Sequence, residues 1–405
     1  MKKIAGFALT TALLCGMGIN NVTGRYTVKA ENIQQNIEEY TEIEAVNAVQ
    51  GLQIGGKASY LMDFESQTVI YANNEREHLP IASMCKIMTL LLSFEALAQG
   101  DLTLDEEIFV SERAASMGGS QVFLEANAKY PVKELLKSIV VCSANDSCVA
   151  MAEKIAGNED VFVGEMNKKA KELGANDTLF ANCTGLPKQP QYSCAKDVAI
   201  MLKSLLKHEL YFELGKVWMD KFSHPEGRYT EITNTNKLVR FYDGCDGGKT
   251  GFTNEAGFCL AATAKRNNMR IISVVIGEDS SAHRFEDVRT MFDYAFANYT
   301  AQSILQIEQP LEEKIDVCGG KTESVTAYPA RNVYAFSKRG EKPNITIEKE
   351  VSKLKAPIKK GAKIGELLLF KDGVEMERVD LLSGEEVKVA SVMDRLKKIA
   401  RNWTK

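Results

Sequence analysis

No two cysteines in this chain have CxxC spacing, and its four histidines, His78, His208, His224 and His283, form no HExxH motif. The sequence therefore encodes no recognisable zinc site, and we expect no metal and no cofactor. Positive charge is not in surplus either. Lys and Arg number 50 against 54 for Asp and Glu, a net charge of -4, so no basic field exists to gather nucleic acid. Long apolar runs are also lacking, because the run from Ile4 to Ile19 falls short of the ~20 residues a spanning helix needs. Repeats and low-complexity tracts are absent. What is present, 45% hydrophobic and 26% charged residues over 405 positions, is the composition of a folded protein of two or three domains.

The short apolar run follows Lys2 and Lys3 and reads as a secretory signal peptide, with Val28-Lys29-Ala30 placing the cut after Ala30. Cys15 follows Leu14, where lipoprotein processing needs a small residue, so it belongs to the run. The expected location is outside the cell, at the outer face of the cytoplasmic membrane or in the wall space. The cysteines beyond the signal, at 85, 142, 148, 183, 194, 245, 259 and 318, are too sparse for a disulfide scaffold in so long a chain. They read as small buried apolar residues.

Strand-like runs at 58–64 and 68–72 flank Glu65-Ser66-Gln67 and predict a hairpin. A helix follows over 83–98, apolar on nearly every side and stopped by Gly100, and further helices are expected at 132–141, 146–155, 160–173 and 195–206. Strands return at 258–264 and 270–276, joined by Lys265-Arg266-Asn267-Asn268, and a helix over 283–299 closes the unit. Strands at both ends with helices between them imply a mixed α/β domain, its antiparallel sheet assembled from distant segments and flanked by helices. Beyond residue 303, short alternating runs broken by Gly and Pro indicate a small all-β domain. The expected division is a signal at 1–30, a catalytic domain at 31–302, a β-rich domain at 303–390 and a terminal helix at 391–405.

Three motifs carry the chemistry. Ser83-Met84-Cys85-Lys86 is an SxxK tetrad whose i,i+3 spacing puts hydroxyl and amine on one face of the buried helix. A serine needs a base to take its proton, and a lysine serves only if desolvation lowers its pKa. Ser143-Ala144-Asn145 follows an apolar helix and offers a second hydroxyl and a carboxamide. Lys249-Thr250-Gly251 lies in a strand-like segment, where a lysine, a hydroxyl and an approachable backbone suit a carboxylate. Alone, each has a plain structural alternative: a helix-capping serine before a surface lysine, a helix N-cap, a phosphate loop. The last fails because Asp243 stands where that loop requires glycine. The order SxxK, SxN, KTG is far less accidental than any one motif.

With these residues on the page, the chain resembles the low-molecular-mass penicillin-binding proteins, and within them the serine-type D-alanyl-D-alanine carboxypeptidases. The likeness extends through 119–124, Met166-Asn167, Leu173-Gly174, Thr184-Gly185-Leu186 and 192–197. The resemblance implies a β-lactamase/DD-peptidase-like fold, peptidoglycan stem peptides as substrate and β-lactam antibiotics as acylating inhibitors. It further implies Ser83 as nucleophile, Lys86 as its base and Ser143 as proton relay. Asn145, Lys249, Thr250, Gly251, Phe252 and Arg284 would bind substrate, with the backbone N–H groups of Ser83 and Phe252 as the oxyanion hole. Cys85, Thr184 and Cys194 depart from the usual family residues, and none is a reacting group.

A serine β-lactamase shares the three motifs, but no deacylating ExxLN segment is present. A non-catalytic wall-binding module on the same fold is the alternative of another class, and the intact Ser83, Lys86, Ser143, Asn145 and Lys249 argue against it. A Ser-His-Asp hydrolase lacks its GxSxG elbow. At 100° per residue, Val392, Met393, Leu396, Ile399, Ala400 and Trp403 fall on one side of the terminal helix, with Arg395, Lys397, Lys398, Arg401 and Lys405 around the other. This pattern predicts an amphipathic membrane anchor, too short to span.

Overall fold

The two ends of the catalytic region meet in one sheet. In the computed structural model, which describes residues 52–403, strands β1 (Ala58–Asp63) and β2 (Val69–Asn73) form the expected hairpin. Its turn is held by the Asp63 carboxylate, which accepts from Ser66 N–H and Ser66 Oγ, each at 2.7 Å. Strands β3 (Cys245–Thr253), β4 (Gly257–Arg266) and β5 (Met269–Glu278) complete an antiparallel sheet of order β2-β1-β5-β4-β3. The pairing of Ala58 with Ile276 and Asp63 with Ile271 is the long-range join the sequence pattern implied. The proposed signal peptide, its cut after Ala30 and Cys15 lie outside the described residues.

Both faces of this sheet are covered, so its strands are apolar almost throughout rather than alternating with polar residues. Tyr60, Met62, Ile272 and Val274 face the helical side, while Leu61, Ile271 and Val275 face the other. On the helical side stand α1 (Lys86–Gln99), α2 (Val132–Cys142), α3 (Asn145–Ala156), α4 (Glu159–Glu172), α5 (Ala195–Leu205) and α6 (Glu209–Gly215). Helix α1 is its centre: every residue from Lys86 to Phe94 is buried, and Gly100, at φ 82°, ends it. The opposite face is closed by α7 (Ser281–Asn298) through Val288, Met291, Phe292 and Ala295.

Strand β6 (Tyr299–Leu305) begins at the residue after α7 ends and pairs with β7 (Val333–Lys338), Tyr299 stacking on Phe336 at 5.0 Å. The region beyond is all β, as expected. Its largest sheet joins Ala327–Pro329, Val374–Ser383, Lys363–Lys371 and Ile345–Glu350 around a core that includes Leu367, Leu369, Val379 and Leu381. Helix α8 (Val392–Trp403) follows. Three sequence expectations needed adjustment. Ser83 lies in a 3-10 turn, Ala82–Cys85, ahead of α1 rather than inside it. Two small hairpins, Glu107–Phe109 with Lys129–Pro131 and Met219–Ser223 with Tyr229–Thr233, went unread. Of the cysteines among the described residues, all free, Cys318 is exposed and Cys142 half-buried, while the others are buried as read.

Strand β3 is an edge strand, and side chains from other elements help to hold it. Arg270 on β5 makes a bidentate pair with Asp246, at 2.7 and 2.9 Å, and also reaches Thr263 on the intervening β4 at 3.0 Å. From α6, the buried Tyr211 hydroxyl accepts from Gly248 N–H at 2.9 Å. Tyr211→Phe leaves that buried amide unpaired. We expect a loss of about 1–3 kcal/mol in unfolding free energy, read from urea denaturation, with no change in the urea dependence.

Candidate active site

The 3-10 turn presents Ser83 at the head of the buried helix, and its spacing aligns positions i and i+3 more closely than an α-helix does. Lys86 is fully buried and donates from Nζ to Ser83 Oγ at 2.9 Å and to the Thr184 carbonyl at 2.6 Å. Burial pushes its pKa down from the usual 10.5. The amine is thus desolvated, aimed at the serine hydroxyl and held by one neutral acceptor. Cys85 offers no rival nucleophile. Its thiol donates to the Asn182 carbonyl at 3.2 Å, and complete burial raises its pKa far above the ordinary thiol range.

The second wall comes from the α2–α3 junction. Ser143 caps α2 in the left-handed region, at φ 66°, and Asn145 opens α3. Asn145 Nδ2 donates to Gly118 O at 2.7 Å, and its backbone N–H donates to Ser120 O at the same distance. Ser143 Oγ and Asn145 Oδ1 are both buried without a protein partner. Two unpaired polar atoms side by side are costly unless something else binds them.

Strand β3 forms the third wall. Lys249 is buried, and its Nζ reaches only the neighbouring Thr250 carbonyl, at 3.2 Å, among the described residues. Burial, then repulsion from Lys86, drives its pKa well below the usual lysine value. The strand runs directly against the serine turn: a side chain at Gly251 would begin 2.7 Å from Ile81 O and 3.3 Å from Ser83 N. Thr250 is buried beside it, and Phe252 turns outward to stack on Phe258 at 4.3 Å. Arg284, from the first turn of α7, donates to the Gly251 carbonyl at 3.0 Å and to Cys259 O at 3.4 Å. Burial lowers it to about 10, and its Nε lacks a partner. Arg284 thus bridges the backbones of β3, the strand that carries Lys249, and β4. The motifs converge from three sequence-distant segments.

A family model described as D-alanyl-D-alanine carboxypeptidase matches residues 45–280, more than half of the chain. The chain belongs to the D-alanyl-D-alanine carboxypeptidase family. A second model, the C-terminal domain of penicillin-binding protein 5, matches residues 299–389. This carboxypeptidase, a serine hydrolase of the penicillin-binding group, is 41% identical over 352 residues to D-alanyl-D-alanine carboxypeptidase DacF of Bacillus subtilis, covering 86% of this chain and 90% of that one. It is 30% identical to DacC of Escherichia coli, over 88% and 90% of the two chains. Among solved structures, penicillin binding protein 5 of Haemophilus influenzae is similar at a TM-score of 0.65 and 28% identity, covering 84% of this chain and 99% of that one. The peptidoglycan synthesis regulatory factor PBP3 of Streptococcus pneumoniae is similar at a TM-score of 0.71 and 27% identity, covering 83% and 100%.

Sequence reasoning missed residues that shape this carboxypeptidase's cleft. Asn182 is one. Its Oδ1 accepts from Thr184 N–H at 3.1 Å and Gly185 N–H at 2.7 Å, and its Nδ2 donates to Leu186 O at 2.7 Å, forming the loop whose Thr184 carbonyl meets Lys86. An Asn two residues before Thr-Gly was a readable turn signal. Asp146 is another: its carboxylate accepts from Val122 N–H and Leu124 N–H, each at 3.1 Å, and so ties the segment after Ser120 to α3. The tightest approach is Gly185, at φ 81°, where a Cβ would stand 2.0 Å from Ala82 O and 3.0 Å from Ser83 N. Ala82 is itself left-handed, at φ 46°. Gly185→Ala therefore has to displace the serine turn. Beyond the ~1–2 kcal/mol of a left-handed alanine, peptide turnover should fall at least tenfold while the circular dichroism spectrum is retained; unchanged turnover would show that the turn tolerates movement.

Proposed function

We propose that this carboxypeptidase removes the terminal D-alanine from peptidoglycan stem peptides through an ester on Ser83, and that β-lactams acylate the same hydroxyl. Ser83 Oγ attacks the carbonyl of the penultimate D-alanine as Lys86 Nζ accepts its proton. The N–H groups of Ser83 and Phe252 take the developing oxyanion, an interaction worth ~3 kcal/mol per donor. The amide C–N bond then breaks, the leaving amine gains a proton relayed through Ser143, and water hydrolyses the ester. Asn145 holds the peptide amide, Lys249 and Thr250 bind the terminal carboxylate, and Arg284 supports that strand. The observation that carries the reading is the 2.9 Å contact between Lys86 Nζ and Ser83 Oγ in a fully buried setting. The unpartnered Ser143 Oγ and Asn145 Oδ1 support it, because substrate groups would satisfy them.

A neutral Lys86 is required, so acylation should rise with pH, as the amine loses its proton, through a midpoint below the usual 10.5. Lys249 acts protonated although burial lowers its pKa too, so the incoming carboxylate has to hold its proton in place, and loss of that proton limits the rate on the alkaline side. Intact-mass kinetics with a β-lactam over pH 5–11 checks this. The adduct should disappear in Ser83→Ala; an adduct that persists there, or an acid limb centred near 10.5, contradicts the mechanism.

The boundaries at 31–302 and 303–390, the signal at 1–30 and an extracytoplasmic site of action belong to the same reading. So does a membrane anchor at 391–405. No helix among the described residues is long and apolar enough to cross a membrane. Val392, Met393 and Leu396 on α8 are at least half exposed, which suits an interfacial helix better than one packed on the β-region. The full chain should co-sediment with anionic vesicles, most strongly at low salt, and a form ending at Ala390 should stay in the supernatant with its peptidase activity intact. Equal sedimentation of both forms removes the anchor.

A further inference from the structure

The turn Lys265-Arg266-Asn267-Asn268, which the chemistry at Ser83 does not use, borders a cavity of about 240 Å³. The cavity lies where the catalytic sheet meets the all-β region. Arg266, Asn268, Thr300 and Arg339 contribute polar groups to it from three separate segments, and no carboxylate lines it.

Neither arginine is paired with a buried carboxylate among the described residues. The Arg266 guanidinium lies over Tyr242 at 4.6 Å and Phe296 at 4.7 Å, and its Nε donates to the Asp243 carbonyl at 3.1 Å. Its only carboxylate neighbour among the described residues is Asp243, at 3.7 Å, whose side chain is 94% exposed. Arg339 donates from its backbone N–H to Asn298 O at 2.7 Å and from its guanidinium to Phe296 O at 3.0 Å. Glu341, two residues beyond Arg339, accepts instead from Lys338 N–H at 3.1 Å. Stacking on aromatic faces fixes the plane of a guanidinium and leaves its edge donors available. The terminal nitrogens of Arg266 have no protein acceptor among the described residues.

We propose that this cavity binds a phosphoryl group, as a phosphate monoester or diester. A carboxylate is satisfied by the fork of one guanidinium, whereas donors arriving from several segments suit a tetrahedral oxyanion. The site is separate from the serine cleft, since none of its residues contributes to the three motif walls. Its ligand bridges the β4–β5 turn and the start of the all-β region, so binding there stabilises their junction.

The test is calorimetric titration of the full chain with inorganic phosphate and with glycerol 3-phosphate, alongside sedimentation with phosphatidylglycerol vesicles. Saturable one-to-one binding of a soluble phosphate is expected. It should weaken at least tenfold in Arg266→Gln and Arg339→Gln, and in Asn268→Asp, which keeps both arginines and their packing while placing a negative charge in the cavity. Peptide turnover should be unchanged in all three variants. Vesicle binding that depends on Arg266 without soluble-phosphate binding also supports the site and assigns its source as a lipid headgroup. Absence of saturable binding to any of these probes, or binding of wild-type strength in Asn268→Asp and Arg266→Gln, overturns the proposal.

Discussion

An amine without water around it is the constraint on which the rest of this structure depends. Lys86 is buried deeply enough to weaken its preference for charge, and an acceptor holds it in line with Ser83. A carboxylate would restore the charge. A backbone carbonyl does not, and Thr184 supplies one at 2.6 Å. That single choice propagates outward: the Thr184 loop needs Asn182 to shape it, Gly185 to pass under Ala82, and an unusual left-handed Ala82 to expose the hydroxyl beyond. The apolar character of α1 on all sides follows from the same need, because a solvated face would readmit water to the amine.

The cleft is electrostatically unfinished in the free protein. Two buried lysines oppose each other, and on the facing wall a hydroxyl and a carboxamide oxygen are unpaired. Such a site is poorly solvated and incompletely satisfied, which is the state in which a peptide carrying an amide and a terminal carboxylate gains most on entry. The scaffold tolerates the tension because β3 is secured by Tyr211, the Asp246–Arg270 pair and Arg284.

The elements with strong periodicity were legible from the sequence. The hairpin at the start, α1, the strands of the KTG hairpin and the turn to an all-β region all stand where the pattern placed them. So do the three motifs, because each keeps its spacing within a few residues. What could not be read depends on contacts across long separations. Asn182 reads only as a turn residue, and Tyr211 as an ordinary helix residue, until the Thr184 loop is brought to Lys86 and Gly248 to Tyr211. The hairpin of Met219–Ser223 and Tyr229–Thr233 has mostly exposed side chains and so carries little apolar alternation to detect. The 3-10 turn at Ser83 was read as helix because its composition is that of the helix it precedes.

The junction between α7 and β6 has a mechanical consequence. With Asn298 ending one element and Tyr299 beginning the next, and Tyr299 stacked on Phe336, there are no spare residues between sheet and β-region. A flexible tether would let the reach of a molecule vary with the square root of its length. Here α7 passes into β6 without a tether of that kind. A force applied at the β6–β7 pair therefore passes straight into α7, with no slack to absorb it.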